Sequence, residues 1–299
     1  MYNHSRTRFY LTTVNCRICP FTIYLFVFFE GCNGKLRWYT PLEQTLRENG
    51  FDRVFIVDVD WGLSSVFRTM DAQLNHLSLE IEQLKEKNGI TDFNLVCHSQ
   101  GAVLCRAYLQ LNPGHTAQSF VSLAGPHLGQ FGLTGEVERF LPGLRNMTRQ
   151  EASRLLYKKE VQSFFAVANY WRDPFRFSTY RESVPFLTRF NNESVVNNEE
   201  AVQYRSNFMK LKRAVFLGSS VDEIIEPPTS SLFEYWSTSS SVYEMVPMEK
   251  QEIYTSDLFG LKTMVGEGRA RVIHVPQVTH MDWMYKPQLC IQYVLPFLV

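Results

Sequence analysis

Residues 92–109, DFNLVCHSQGAVLCRAYL, have the pattern of a buried strand, a tight turn that carries one serine, and a helix. The apolar run before the turn suits a parallel sheet, and the apolar residues after it suit a helix packed onto that sheet. Ser99 stands at the corner, where a strained backbone would direct its hydroxyl into a cleft. Cys97 and Gly101 fill the positions that need small residues. The segment predicts a nucleophile elbow in a degenerate G-x-S-x-G form, and a solvent-exposed serine in an ordinary turn is the plainer alternative.

Strands and helices alternate along most of the chain. Besides the strand of the elbow, the predicted strands are Ile23–Phe29, Val54–Val59, Phe120–Leu123, Ala214–Gly218 and Arg271–Val275. The predicted helices include one from Pro41 to Glu48, one from Met70 that stops at Asn88-Gly89, and a terminal helix after the last strand. Strands separated by helices favour the α/β class, with a mostly parallel sheet covered by helices on both faces.

Two stretches depart from this alternation. Residues 129–211 are aromatic and interrupted by prolines, and we predict a helical insertion over the cleft, although ordinary packed helices would show the same pattern. The apolar run Ile18–Phe29 follows several arginines and resembles part of a secretory signal, but it is too short to span a bilayer comfortably. No cleavage site of small residues follows it cleanly. We therefore predict a strand there, leave residues 1–22 unassigned, and treat residues 1–299 as one domain because no linker is evident.

The composition permits an enzyme and argues against several partners. Hydrophobic residues make up 45% of the chain and aromatic residues 14%, enough for a large core and an apolar binding surface. Lys plus Arg number 30 and Asp plus Glu number 30, a balance that gives no reason to expect nucleic acid. No Cys/His cluster has the spacing of a metal site. We expect no metal, no cofactor and no stable membrane span, and we expect a monomer.

The partners that a nucleophilic serine needs follow two later strands. A serine hydroxyl reacts only when a base removes its proton, and that base needs a carboxylate to hold its tautomer. Asp222 and His280 each come just after a predicted strand, where parallel strands open onto one edge of the sheet. Their order after Ser99, first the acid and then the histidine, is that of the α/β-hydrolases. We therefore predict Ser99, Asp222 and His280 as a catalytic triad.

Each of these partners has competitors. Glu223 and Glu226 lie close enough to Asp222 in the sequence to replace it as the acid. His98 adjoins the serine but should point away from it in an elbow, and His127 follows a different strand end. Position alone favours Asp222 and His280, and an acid in a solvated loop or at a helix cap is the plainer interpretation of the former.

Several separate motifs then occur in one order from about Pro41 to the C-terminus. They are LVCHSQGAVLCRAYL, SLAGPHLGQFG, NYWRDP, FLGSSVDEIIEPPTSSLFEYW, IYTSDLFGLKTM, THMDW and VLPFL. On these motifs the chain resembles the palmitoyl-protein thioesterase family, and the second of its two lysosomal types more than the first. The resemblance implies an α/β-hydrolase fold with a helical insertion beside an acyl-chain groove, and the triad roles for Ser99, Asp222 and His280.

The activity that this resemblance implies is hydrolysis of long-chain fatty acyl thioesters, either palmitoyl-CoA or S-palmitoylated protein. The groove would be lined by apolar residues of the insertion, although most of them could instead pack as core. These residues are Phe131, Leu133, Phe140, Leu141, Phe164, Phe165, Trp171, Phe175, Phe186 and Leu187. Two other functions stay open: a carboxylester lipase or esterase, because the same machinery cleaves oxygen esters, and a non-catalytic lipid-binding scaffold.

The entrance loop departs from the family pattern. In the family the first strand ends in His-Gly and an apolar residue whose backbone N–H forms half of the oxyanion hole. An ungapped comparison places Glu30-Gly31-Cys32 there, so Cys32 would supply one backbone N–H and Gln100 the other. Glu30 brings a negative charge near a developing anion, and a misplaced donor costs on the order of a hundredfold or more in rate. The departure predicts slower catalysis, or a decayed site in the scaffold alternative.

Cysteines and glycosylation sequons bear on the compartment. Cys97 and Cys105 resemble a disulfide of the family, and Cys290 lacks its family partner. Asn146 and Asn192 begin sequons for N-glycosylation. Together these features favour the secretory route and a lysosomal location, although two free thiols at positions 97 and 105 and chance sequons are the alternatives.

Overall fold

The structure, a computed structural model, describes residues 22–28, 40–57, 59–60, 63–134, 142–194, 199–239 and 242–299. Across these residues six strands form one parallel sheet in the order β2-β1-β3-β4-β5-β8, and β6 pairs with β7 in a small antiparallel ribbon. The strands are β1 (Thr22–Phe28), β2 (Val54–Val57), β3 (Asp92–His98), β4 (Ala117–Leu123), β5 (Arg213–Gly218), β6 (Tyr235–Trp236), β7 (Met245–Val246) and β8 (Ala270–His274).

Helices connect the strands, as an all-parallel sheet requires. The α-helices are α1 (Thr40–Glu48), α2 (Leu63–Val66), α3 (Met70–Asn88), α4 (Gln100–Leu111), α5 (Arg149–Leu156), α6 (Lys159–Gln162), α7 (Phe177–Ser183), α8 (Pro185–Asn191), α9 (Ala201–Phe208), α10 (Glu252–Thr255), α11 (Leu261–Gly266), α12 (Asp282–Tyr285) and α13 (Pro287–Leu289). Short 3₁₀ turns span Pro142–Leu144, Ala166–Tyr170, Pro174–Arg176, Pro228–Leu232, Met248–Lys250 and Leu295–Phe297. Cys290–Val294 is a π-helical segment.

Apolar side chains cover the sheet on both faces. On one face, Leu46 of α1 and Trp283 of α12 pack in the same buried cluster as Val96 of β3. On the other face, Leu95 of β3 packs with residues of α3, α4 and the segment between β4 and β5. Because successive side chains of a strand point to opposite faces, β3 contributes to both cores. The arrangement confirms the predicted fold class, a parallel sheet of the α/β-hydrolase kind with helices on both sides.

Most predicted elements occur within a few residues of their expected bounds. The stop predicted at Asn88-Gly89 is confirmed, since Gly89 takes the left-handed backbone with φ 60° that ends α3. The second strand is shorter than predicted and ends at Val57. The single terminal helix is wrong: Lys286 is extended before Pro287, because a residue that precedes proline avoids the helical region, and short helical segments follow.

The segment between β4 and β5 is helical in its described part, and α9 packs against α4. Its aromatic residues, however, do not line a groove as a set. Five of the ten predicted groove residues are almost completely buried in the core: Phe131, Phe165, Trp171, Phe186 and Leu187. For these five the groove prediction is wrong, because the insertion must bury a large apolar face against the sheet and its helices. Phe140 and Leu141 lie outside the described residues.

Candidate active site

Ser99 occupies the predicted elbow between β3 and α4. Its backbone has φ 56° and ψ −133°, a left-handed conformation that costs a residue with a side chain about 1–3 kcal/mol. Pairing with the next strand holds the corner, because the Ser99 backbone N–H donates to the carbonyl of Leu123 at 2.9 Å. The sharp turn brings the hydroxyl to the carboxyl edge of the sheet.

Three polar side chains meet at that edge in one hydrogen-bonded chain. The Oγ of Ser99 lies 2.9 Å from Nε2 of His280, and Nδ1 of the same histidine lies 2.7 Å from Oδ2 of Asp222. The three residues are only 3%, 4% and 5% exposed, so water does not compete freely for these bonds. The structure thus brings together the serine, histidine and acid that the sequence singled out.

The protonation of this chain follows from the groups that it joins. The carboxylate of Asp222 can only accept, so Nδ1 of His280 carries a proton and Nε2 is left to accept the hydroxyl proton of Ser99. Burial acts to raise the pKa of Asp222, but the charge and hydrogen bond of His280, with the backbone N–H groups of Ile225 and Ile224, hold that pKa below its ordinary value. Asp222 therefore stays ionised near neutral pH and orients the imidazole.

The two acidic competitors of Asp222 take other roles. An oxygen of Glu223 accepts the backbone N–H of His280 at 3.1 Å, and a carboxylate oxygen of Glu226 lies 3.4 Å from Arg149. Neither of these two contacts involves the imidazole ring of His280. Glu223 instead ties the acid loop to the histidine loop, a contact that the sequence did not reveal because a backbone acceptor leaves no pattern in residue types.

Gln100 is held firmly beside the serine. It begins α4, and the first N–H groups of a helix have no partner within that helix, so its backbone N–H is available at the edge of the sheet. Its buried side chain donates to Oε1 of Gln73 at 2.9 Å and to the carbonyl of Ser65 at 3.2 Å. The predicted second donor, Cys32, and the unusual Glu30 both lie outside the described residues.

A disulfide joins Cys97 to Cys105, with their Cα atoms 6.6 Å apart. It connects the end of β3 to α4 and so braces both sides of the elbow, as the family resemblance implied. Cys290 is free and buried, and burial raises its pKa to about 12. Of the two sequon residues, Asn146 is exposed and Asn192 is half-buried.

The two other histidines considered from the sequence, His127 and His98, are both buried. His127 contacts Ser122 through Nε2 at 2.7 Å and stacks on Phe233, and burial holds its pKa well below the ordinary value. It is a core histidine. Nε2 of His98 lies 2.8 Å from the backbone carbonyl of His280. This contact was not expected from the sequence, because the alternation of β3 indicates a face of the sheet but not the loop that covers it.

Three exposed apolar side chains form a patch at α2. We define it as Leu63, Phe67 and Phe164, which are 62%, 41% and 43% exposed. Phe67 and Phe164 stack with their ring centroids 6.5 Å apart, and Leu63 lies one turn before Phe67. The carbonyl of Ser65, which lies between Leu63 and Phe67 in the chain, accepts from the Gln100 side chain and so links α2 to the residue that follows the nucleophile.

Within the described part of the chain, no group of three or more His, Cys, Asp or Glu residues could hold a metal ion. No helix among the same residues is both long and apolar enough to cross a membrane.

Comparisons with known proteins identify related sequences. A protein-family profile described as Palmitoyl protein thioesterase matches residues 27–280. Lysosomal thioesterase PPT2-B of Xenopus laevis is 32% identical over 230 residues, which are 77% of this chain and 76% of that protein. Lysosomal thioesterase PPT2 of Bos taurus is 34% identical over 190 residues, which are 64% of this chain and only 59% of that protein.

Among solved structures, the mature form of Bacillus licheniformis lipase BlEst2 aligns over 93% of this chain and 92% of that chain, with a TM-score of 0.48 and 15% identity. The family assignment rests on the profile, which starts within β1, passes through the elbow and ends at the histidine of the hydrogen-bonded chain. The chain therefore belongs to the palmitoyl protein thioesterase family.

Proposed function

We propose that this chain is a serine hydrolase that cleaves long-chain fatty acyl thioesters with Ser99 as nucleophile, His280 as base and Asp222 as orienting acid. The observation that carries the proposal is the unbroken chain of hydrogen bonds from Asp222 through His280 to the Ser99 hydroxyl. Family membership supports the thioester as the bond that is cleaved.

The reaction proceeds in two steps at Ser99. In the first, the Ser99 oxygen attacks the thioester carbonyl while Nε2 of His280 takes the hydroxyl proton, and collapse of the tetrahedral intermediate expels the thiol, which receives that proton. In the second, His280 removes a proton from water, the hydroxide attacks the acyl-serine, and the fatty acid leaves as the proton returns to Ser99. Asp222 stabilises the imidazolium that forms in both steps.

The negative oxygen of each intermediate needs hydrogen-bond donors. The backbone N–H of Gln100 is one, since it begins a helix whose positive end faces the same edge. We assign Cys32 as the second from its place after the first strand. The helix sets the direction of this donor, and the hydrogen bonds of the Gln100 side chain to Gln73 and Ser65 help to hold the residue in place.

The apolar patch, rather than the buried aromatic residues of the insertion, is the part of the described surface that we assign to the acyl chain. It exposes three large side chains, and Ser65 of the same helix as Leu63 accepts from the Gln100 side chain. Burial of apolar surface yields about 0.8 kcal/mol for each methylene removed from water. A chain that lies along Leu63, Phe67 and Phe164 would therefore bind better as it lengthens.

The proposal extends to the compartment and to the assembly. The two relatives described above are named lysosomal thioesterases, and the disulfide and the exposed sequon at Asn146 suit the secretory route. We propose a lysosomal location, N-glycosylation at Asn146 and Asn192, a monomeric state, and one hydrolase domain over residues 1–299. The acyl donor is coenzyme A or a protein cysteine.

Specificity constants along a series of acyl-CoA substrates, from acetyl to palmitoyl, test the proposal. We expect kcat/KM to rise by up to about fourfold per methylene over the length that the patch covers. A matched oxygen ester should react more slowly than the thioester. Phe164→Ser should flatten the series, whereas Ile291→Ser, which alters an exposed apolar residue of the C-terminal segment, should not.

Three outcomes would contradict parts of the proposal. A flat series or a preference for acetyl removes the long-chain substrate, and faster cleavage of the oxygen ester favours the esterase alternative. Complete inactivity together with tight binding of fatty acid would favour the non-catalytic scaffold, and Glu30 would then be the first residue to restore to histidine.

A further inference from the structure

His98 is the last residue of β3 and the immediate neighbour of Ser99, yet the proposed reaction does not use it. It shares a face of β3 with Val96, because side chains two positions apart along a strand point the same way. That face carries the C-terminal segment, and Val96 packs there in one cluster with Trp283, three residues after His280. The His98 side chain is only 2% exposed.

This side chain contacts the backbone and the ring of His280. Nε2 of His98 lies 2.8 Å from the His280 carbonyl oxygen, and the centroids of the two imidazole rings are 4.6 Å apart. A carbonyl can only accept a hydrogen bond, so Nε2 of His98 carries a proton and donates. The bond therefore fixes the tautomer of His98. It also sets the distance between β3 and the backbone of His280.

Two consecutive residues thus hold the same histidine at two points. Ser99 meets the ring of His280 at Nε2, and His98 meets its backbone carbonyl. The strand that carries His98 is paired on both sides, by β1 and β4, which makes it a rigid reference. His280 instead lies in a turn between β8 and α12 and depends on contacts from elsewhere for its position.

The other contacts of this turn do not duplicate the His98 bond. Glu223 accepts the N–H of His280 and Ser219 accepts the N–H of Val278, so both of these bonds hold N–H groups from the side of the acid loop. The carbonyl of His280 is held by a different element, the strand that precedes the nucleophile. Loss of this bond would leave a buried carbonyl without a partner and free the turn to move away from Ser99.

His98 can perform this task in acid as well as at neutral pH. Burial, followed by the charge of His280, lowers its pKa to about 3, while the carbonyl of His280 and the charge of Asp222 act in the opposite direction. The imidazole therefore stays neutral beside His280 at the pH of an acidic compartment and adds no positive charge next to the base.

We propose that His98 is a positioning residue for the reaction: its Nε2–H group holds the backbone of His280 so that the imidazole meets the Ser99 hydroxyl. The proposal rests on the function proposed above and deepens it. His98 touches neither the substrate nor the reacting atoms. Its effect arises because a base misplaced by about 1 Å costs on the order of a hundredfold in rate.

Two substitutions at His98 distinguish the effect of its N–H donor from the effect of its aromatic ring. His98→Phe keeps a buried aromatic ring of similar size but has no donor, and His98→Gln keeps an N–H near the position of Nε2. For the phenylalanine variant we expect kcat for palmitoyl-CoA to fall about ten- to a hundredfold with KM within about twofold of wild type. For the glutamine variant we expect kcat within about fivefold of wild type.

The kinetics per folded molecule distinguish positioning from a loss of folded enzyme. A displaced His280 lowers kcat in His98→Phe and leaves KM nearly unchanged, and the donor restored in His98→Gln recovers most of the rate. Fewer folded molecules would instead lower the apparent rate in proportion to the folded fraction, which chemical denaturation measures. Equal losses in both variants per folded molecule, or a wild-type kcat in His98→Phe, would overturn the proposal.

Two further measurements keep the test decisive. If His98→Phe does not fold, His98→Asn takes its place, because its amide is one methylene too short to reach the carbonyl and should behave as the phenylalanine variant. The rate at which a fluorophosphonate modifies Ser99 reports the same base without any acyl substrate. An enzyme that reacts with this probe but ignores palmitoyl-CoA would refute the proposed substrate, and the ratio of labelling rates among the variants would still decide the role of His98.

Discussion

Two buried carboxylates, Asp222 at the sheet edge and Glu193 in the helical insertion, show how differently one fold can use the same group. Asp222 bonds to a histidine, which can gain and lose a proton. Glu193 bonds to Arg172 at 2.7 Å and accepts from the hydroxyl of Tyr180 at 2.8 Å. An arginine stays charged at any pH at which the protein is folded, so the second cluster has no group that can relay a proton.

The two acids also differ in the side chains that surround them. The guanidinium of Arg172 lies over the rings of Phe177, Tyr180 and Tyr235, with the last ring centroid 4.7 Å away, so aromatic rings of the insertion and of β6 cover the ion pair. Backbone N–H groups of the loop donate to the Asp222 carboxylate, which is linked to Ser99 through His280. The comparison suggests that a buried acid serves chemistry when its partner titrates and serves architecture when its partner does not.

The largest effect that tests this contrast is on activity. Asp222→Asn should lower kcat by about 10⁴-fold, because the amide donates where the carboxylate accepts and so selects the wrong tautomer of His280. Glu223→Gln is the matched control, since its amide oxygen can still accept the His280 backbone N–H. Steady-state kinetics on purified variants measure both changes, and a larger loss in Glu223→Gln would mean that the acid is Glu223.

Glu193→Gln should instead act on stability. Removing one charge of a buried ion pair leaves Arg172 without compensation, which typically costs about 3–5 kcal/mol in the free energy of unfolding. Chemical denaturation measures this loss, and kcat per folded molecule should stay near the wild-type value. The exposed Glu160→Gln provides a control of equal charge. A large drop in kcat without a drop in stability would place Glu193 in the reaction and abolish the contrast.

The disulfide of the elbow predicts a somewhat smaller effect. Replacing Cys97 and Cys105 together by alanine should lower the free energy of unfolding by up to about 3 kcal/mol, because the bridge closes a short loop in the unfolded chain. Reduction of the wild-type protein should do the same, and Cys290→Ala should not change that response. Alkylation of both thiols without any reductant would show that the bridge does not form in the purified protein.

A still smaller effect should appear on acidification. His98 has a folded pKa of about 3, below the ordinary value of 6.5, so only the unfolded chain takes up its proton between these values. The free energy of unfolding should therefore fall below about pH 6.5, and His98 alone accounts for roughly 2 kcal/mol at pH 5. Denaturation curves at about pH 7 and pH 5 should show a smaller difference in His98→Gln than in wild type. Identical differences would contradict the depressed pKa.

The sheet and the residues of the candidate active site could be predicted because local patterns determine them. An apolar run, a corner serine and the ends of two later strands were enough to bring Ser99, Asp222 and His280 together, since parallel strands share one carboxyl edge. The contact of His98 with His280 could not be predicted, because it joins residues 182 positions apart through a backbone oxygen. Alternation along β3 indicates a face but not the loop that covers it.

The insertion was less predictable for a related reason. Its apolar residues repeat at helical spacing whether they face the core or a ligand, so Phe165 and Trp171 could not be told from Phe164 by sequence. Only packing decides that Phe164 stays exposed against Phe67. The buried pair of Arg172 and Glu193 was equally hidden, because a charged residue in a sequence is normally expected at the surface.

The central claim is that Ser99 carries the acyl group. Mass spectrometry of peptides from enzyme mixed with palmitoyl-CoA and quenched in acid within the first turnover tests it directly. A triad reaction predicts a palmitoyl ester on the peptide that contains Ser99, and none on the same peptide of Ser99→Ala, which should remain folded and inactive. An acyl group on a different residue, or wild-type turnover by Ser99→Ala, would contradict it.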